Sequence, residues 1–251
     1  MRFLVICLSV VVAAAIGGSA LGAENAERTP TMQQASAPTG FLNKTMMVNG
    51  KARHYVLYVP RNYEPGKPWP LIVFLHGIGE RGSDGLAQTE VGIGTAIRQH
   101  PERFPCLVVM PQCPENVKWS KAVQDIDTCI EETRENYNID PDRIYLTGLS
   151  MGGYGAWQYG AENAQKFAAI MPICGGGHLE DAEKLARVPI WAFHGAKDKT
   201  VPPKQSRRMV DAVKKAGGDV RYTEYEDLEH NSWDRAYAEK EAIEWLLKQR
   251  K

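Results

Sequence analysis

Apolar positions in this chain fall into short uninterrupted runs separated by stretches of helical periodicity. "PLIVFLHG" (70–77), "CLVVMPQ" (106–112), "FAAIMPICGG" (167–176) and "VPIWAFHG" (188–195) read as strands buried on both faces, because their apolar residues do not alternate with polar ones. "RIYLTG" (143–148) and "DVRYTEYE" (219–226) add two more. Helical spacing occupies about 122–136, 151–164, 180–186, 203–215 and 234–248. Near the start, Lys44–Val48 and Arg53–Val59 flank Asn49-Gly50, a strong hairpin turn, and read as an antiparallel pair. The alternation predicts an α/β fold with a mostly parallel sheet of about eight strands and helices on both faces. In such sheets the chemistry gathers in loops at the carboxyl ends of the strands.

The first 40 residues depart from this pattern. Met1-Arg2 precede an apolar run from Phe3 to Ile16, followed by the small residues Gly17 to Ala23. This is the layout of a signal peptide over 1–23, and the run is too short to span a bilayer comfortably, against the alternative of a membrane anchor. Residues 24–40, rich in Ala, Thr, Pro, Gln and Ser, read as a disordered leader, leaving a single domain over 41–251. Cleavage would give a secreted or periplasmic protein without stable membrane anchoring. Export permits disulfides among Cys106, Cys113, Cys129 and Cys174. An extended strand would hold Cys106 and Cys113 roughly 20 Å apart, so no pairing is assigned. The 30 basic and 30 acidic side chains balance, which disfavours nucleic acid as a partner. No Cys/His spacing suggests a metal site, and no cofactor is implied. The oligomeric state is not legible.

Within this frame, "IYLTGLSMGGYGAW" (144–157) places Ser150 where a strand must turn abruptly into a helix. Such a turn needs very small neighbours, and Gly148 and Gly152 supply them. The hydroxyl is thereby forced into an exposed, strained position at a helix N-terminus, beside the outward N–H of Met151. The alternative is a glycine-rich turn that only packs tightly. The stretch resembles the nucleophile elbow of the α/β-hydrolase superfamily.

A serine hydroxyl is a poor nucleophile without a base, which is usually a histidine oriented by a carboxylate. In that superfamily the order is Ser, acid, His, and the resemblance extends to both partners. "GAKDKTVP" resembles the acid loop and implies Asp198, which could otherwise be a turn aspartate bonding its own backbone. Glu226, Asp227 and Glu229 lie too close to His230 in sequence to reach its far nitrogen. His230, in "LEHNSWDRAY", stands where the superfamily's base sits. Of the other downstream histidines, His194 is expected to face inward or support the acid loop, and His178, after three glycines, is a candidate substrate contact. "HGIGERGSDG" (76–85) is a His-Gly-x-Gly loop, and it implies an oxyanion hole from the N–H groups of Ile78 and Met151, with Gly79 as the alternative to Ile78. His76 is expected to tie this loop down.

Jointly, "LHGIGERGSDG", "GLSMGG", "GAKDKTVP" and "EHNSW" resemble the single-domain secreted branch of the superfamily over roughly 45–248. That branch holds feruloyl and acetyl-xylan esterase-like, polyhydroxybutyrate-depolymerase-like and dienelactone-hydrolase-like proteins and prolyl-oligopeptidase-type peptidases. The resemblance implies a serine carboxylic-ester hydrolase working through an acyl-enzyme on a small-molecule or polysaccharide-linked ester. Two departures stand out. Dienelactone hydrolases use cysteine where this chain has Ser150, and prolyl-oligopeptidase-type enzymes often carry a propeller where this chain has a short leader. Only about a dozen residues (175–187) separate two strands where lipase-like relatives insert a cap, so an open site without a large cap is expected. Trp119, Trp233, Glu80 and Arg81 are candidate substrate contacts; alternatively the tryptophans cover the core rim and Glu80 pairs with Arg81. The rival activities are a serine peptidase and a non-catalytic binding protein on the same fold.

Overall fold

The computed structural model describes residues 37–251; the proposed signal peptide and most of the proposed leader lie outside the described residues. Eight strands form one sheet: β1 (Gly40–Val48), β2 (Lys51–Val59), β3 (Trp69–Leu75), β4 (Leu107–Pro111), β5 (Ile139–Leu149), β6 (Ala169–Ile173), β7 (Ile190–Gly195) and β8 (Val220–Tyr225). Their spatial order is β1-β2-β4-β3-β5-β6-β7-β8. The hairpin pair and the β2–β4 pair are antiparallel, and every pairing from β4 through β8 is parallel. Asn49 and Gly50 take the positive φ values that their turn requires.

Among the described residues five α-helices connect strands, α1 (Ile93–Gln99), α2 (Val123–Asn136), α3 (Met151–Glu162), α4 (Ala182–Leu185) and α5 (Lys204–Lys215), and two follow β8, α6 (Trp233–Ala238) and α7 (Lys240–Lys248). Alternation along β3 sorts them into two layers. Leu71, Val73 and Leu75 point into the core built with α2, α3, α4 and α5. Ile72 and Phe74 point into the opposite core, built with α1, α6 and α7. A strand with helices on both faces has no solvated side, which is why β3, β4, β6 and β7 are buried throughout.

Four boundaries differ from the sequence reading. The first strand begins at Gly40, inside the stretch assigned to the leader, because its ladder with β2 runs on to Val59. The fifth begins at Ile139 rather than Arg143: Ile139 pairs with Trp69 before the register shifts. Helix α1 was not anticipated, since its seven residues expose little periodicity beyond Ile93, Ala96 and Ile97. The expected final helix breaks at Glu239, which is extended, and the Arg103 guanidinium takes the Ala238 carbonyl that ends α6. Between β6 and β7 only a 3-10 turn and the four-residue α4 intervene, so no cap stands over the strand ends there. All four cysteines in the described residues are buried free thiols. No helix among the described residues is long and apolar enough to cross a membrane.

Candidate active site

Ser150 occupies the single residue between β5 and α3, at φ 53° and ψ −115°, a conformation that a side chain normally avoids. The glycines on either side explain how it is reached. A Cβ on Gly152 would lie 1.9 Å from the Leu75 carbonyl oxygen, and one on Gly148 would lie 2.3 Å from that of Gly152. Strand and helix are thus in backbone contact, and the turn between them has no slack. The Ser150 N–H is held by the Ile173 carbonyl at 3.0 Å and the Cys174 thiol at 3.3 Å. Cys174, itself at φ 41°, is a neighbour that nothing in the sequence singled out. The Ser150 hydroxyl does not cap its own helix. It points to His230.

His230, in the loop after β8, lies with Nε2 2.9 Å from Ser150 Oγ and Nδ1 2.7 Å from Asp198 Oδ2. A carboxylate only accepts, so Nδ1 carries the proton and Nε2 is left to accept from the serine. Asp198, after β7, has a wholly buried carboxylate. Its Oδ1 accepts the N–H groups of Thr200 and Val201, each at 2.9 Å. The turn geometry weighed as an alternative for Asp198 is therefore present together with the His230 contact: one oxygen makes the Asx turn and the other faces the imidazole. His194 is fully buried at the end of β7, with Nε2 3.2 Å from the same Oδ2. The supporting position expected for it is the one it takes.

The loop after β3 is pinned from several sides. His76 is fully buried; its Nδ1 donates to the Gly77 carbonyl at 2.6 Å and its Nε2 accepts the Cys113 N–H at 2.9 Å. Arg81 does not pair with Glu80. It donates to the carbonyls of Ile78 (3.1 Å) and Val117 (3.4 Å), while Glu80 tucks toward His76, its carboxyl raised above its ordinary range by burial. Gln112 adds a tie that sequence reasoning missed, accepting from Gly85 N–H and donating to the Glu80 carbonyl. So held, the amides of Ile78 and Met151 find no hydrogen-bond acceptor among the described residues, although the Ile78 side chain is 55% exposed.

Burial holds His76 neutral, lowering its pKa to about 4 against the partial opposition of the Gly77 carbonyl. In the unfolded chain it would titrate near 6.5, so between those values the unfolded state binds the extra proton. Stability from this group is complete above about pH 6.5 and is lost as the pH falls toward 4, up to roughly 3 kcal/mol. The expected outcome is a melting temperature that declines across that window. In His76→Gln the decline should be shallower, and an equal slope in both proteins would refute the assignment.

A cavity of about 400 Å3 opens beside Ser150, lined by Ile78, Trp119, Met151, Tyr154, Gly155 and Val201, with Lys118, Ser120, Gln158 and Thr200 as its polar positions. Trp119 stands both in the core and at the cavity. It is buried in the core, donates to the His76 carbonyl at 2.9 Å, and forms a cavity wall. The four other candidate contacts do not line this cavity. Glu80 lies beneath the loop; Arg81 is spent on the Ile78 and Val117 carbonyls; His178 is 61% exposed near Glu180; and Trp233 stands edge-on to the His230 ring at 5.2 Å, where it packs that imidazole rather than the cavity. Each is near the site in sequence, but its side chain is directed elsewhere. Gln158, Ser120 and Lys118 were not singled out. The helical offset of Tyr154 and Gln158 from Ser150 was the available signal.

Among the described residues, Cys174, Asp198 and His230 hold ligand-type atoms within 4.8 Å of one another. Burial raises the Cys174 thiol well above its ordinary range, whereas a metal needs the thiolate. Hydrogen bonds already account for this grouping.

Comparison with known proteins agrees with this architecture. The dienelactone hydrolase family matches residues 99–245. A bifunctional acetylxylan esterase/xylanase from Neocallimastix patriciarum is 31% identical over 163 residues, 62% of this chain but 23% of that protein. Feruloyl esterase D from Neurospora crassa is 24% identical over 226 residues, 86% of this chain and 74% of that protein. A thermostable esterase of known structure superposes with a TM-score of 0.78 at 38% identity, covering 84% of this chain and 63% of its own. The chain thus spans less than two thirds of two of these relatives.

Proposed function

The chain belongs to the dienelactone hydrolase family, and from that premise we propose that it is a serine esterase that hydrolyses carboxylic esters through an acyl-enzyme. The observation that carries this reading is the continuous line from Ser150 Oγ through His230 to Asp198 Oδ2, at 2.9 and 2.7 Å. Ser150 attacks the ester carbonyl carbon while His230 Nε2 takes its proton. The new C–O bond pushes the carbonyl electrons onto oxygen, and the N–H groups of Ile78 and Met151 stabilise that charge. Collapse expels the alcohol, which takes the proton from His230, and leaves the acyl group on Ser150. Water, deprotonated by the same imidazole, repeats the sequence and releases the acid. Asp198 keeps His230 in the tautomer with Nδ1 protonated.

The cavity supports a reading of the acyl group. Met151, Tyr154, Gly155 and Gln158 lie along α3, with Ser150 at its N-terminal end, and about seven residues of helix from Met151 to Gln158 advance about 10 Å. A slot of that length, apolar along its walls and polar toward Gln158, suits acetyl or compact aromatic acyl groups such as feruloyl. The absence of a cap between β6 and β7 favours bulky alcohols, polysaccharides among them. The apolar run at 3–16 supports export to the periplasm or the medium.

A panel of nitrophenyl and methyl esters, run beside aminoacyl amides, tests this. Acetyl and feruloyl esters are expected to exceed dodecanoyl esters in kcat/KM by about tenfold or more. A preference for long acyl chains would refute the slot, and cleavage of amides but not esters would replace the esterase with a peptidase.

A further inference from the structure

Asp198 faces two imidazoles, not one. His230 Nδ1 lies 2.7 Å from Oδ2, and His194 Nε2 lies 3.2 Å from the same atom. No lysine or arginine pairs with this buried carboxylate among the described residues, so the two rings and the Thr200 and Val201 amides are what answer its charge.

The protonation of His194 follows from its partners. Nε2 also lies 2.8 Å from the Val201 carbonyl. With two acceptors before it, Nε2 must carry a proton. Nδ1 lies 2.8 Å from Ser206 Oγ, which is itself 2.9 Å from the Gly175 carbonyl. Ser206 Oγ has one proton, which goes either to the Gly175 carbonyl or to Nδ1 of the neutral ring, and burial favours that neutral form by lowering the pKa of His194. The other charged or titratable groups around it are Glu224, its register partner on β8, and Arg207 of α5, whose Nε holds Glu224 at 2.8 Å beside Tyr222.

We propose that His194 is a positioning residue of the reaction, a neutral ring whose Nε2–H donates to the Val201 carbonyl and also lies 3.2 Å from Asp198 Oδ2, and by that proximity sets how strongly the carboxylate holds the His230 imidazolium. The proposal rests on the triad reading above and deepens it. A donor removed from Oδ2 leaves more negative charge facing His230 Nδ1. His230 then keeps its proton to higher pH, and the acid limb of kcat/KM moves upward. The ring also fixes the carboxylate's orientation by tying β7 to α5 through Ser206 and to the segment after β6 through Gly175. Its loss therefore lowers kcat more than it changes KM.

Two substitutions test this. Gln places a donor near the position of Nε2 but cannot become an imidazolium; Asn is one bond too short. His194→Asn should shift the acid limb upward by about half a pH unit or more and lower kcat between roughly 10- and 100-fold. His194→Gln should return both toward the wild type. A merely structural histidine would lower kcat in both variants and leave the limb in place, and that result overturns the proposal, as does an equal shift in both. Should H194N fail to fold, H194Q decides by both readouts together: an unmoved limb with kcat near that of the wild type supports the proposal, and a moved limb, or an unmoved limb with kcat lowered about tenfold or more, overturns it. Ser150→Ala in the same assay separates the two levels. If it stays active the esterase reading fails, whereas if it is inactive and the His194 variants miss their prediction, only this inference fails.

Discussion

Ser150→Ala loses about 10⁴- to 10⁶-fold in kcat on nitrophenyl acetate while its melting temperature stays near that of the wild type. The loss is large because in the proposed mechanism the hydroxyl forms the covalent bond, and the neighbouring Cys174 is buried with its thiol raised well above its ordinary range. Stability is spared because the strain at φ 53° is imposed on the backbone by strand–helix contact and is the same for serine and alanine. The hydroxyl makes no helix cap that alanine would forfeit. Some acceleration over water should survive, since the free amides of Ile78 and Met151 and the cavity remain. Initial rates with thermal melts of both proteins check this, and a variant that keeps a tenth of the activity would exclude Ser150 as nucleophile.

The second large effect is expected at Asp198. In Asp198→Asn the amide can be oriented in only one way. Thr200 and Val201 donate to Oδ1, so the new carbonyl takes that side and the NH₂ replaces Oδ2. There it donates to His230 Nδ1, which must give up its proton. The proton moves to Nε2, and the atom that should accept from Ser150 becomes a donor. A fall in kcat of about 10⁴-fold follows, with KM little changed. His194 Nε2–H then also faces a donor, so the loop should loosen and the melting temperature fall as well. Comparable kcat values for D198N and the wild type near pH 8 would show that the carboxylate does not set the tautomer.

Much of this was legible because it is local. Four inner strands were read from runs such as "LIVFL", since burial on both faces leaves a continuous apolar signature in the sequence, and the first two from the Asn49-Gly50 turn between them. The elbow was read from Gly148 and Gly152, whose missing side chains matter within a few residues of Ser150. The acid loop and His230 were read through their resemblance to a family whose wording is also local. The illegible parts depend on contacts between distant segments. Nothing near Cys174 in the sequence announces that its thiol meets the Ser150 amide, nor that Ser206 on α5 reaches His194 on β7. At the break before Glu239 the Ala238 carbonyl is met by Arg103, far away along the chain. Substrate contacts were the least legible. Proximity to a motif suggested Glu80, His178 and Trp233, but side-chain direction sent Glu80 beneath the loop, left His178 in solvent and placed Trp233 against His230. The cavity draws instead on Lys118, Ser120 and Gln158.

The account depends most on the acyl group passing through Ser150, and peptide mapping after reaction with an activated phosphonate ester tests that most directly. The expected result is one phosphonyl group per chain, on the peptide carrying Ser150, formed in step with loss of esterase activity and absent from Ser150→Ala. Activity lost while the label sits on another residue, or full activity with Ser150 labelled, would contradict it.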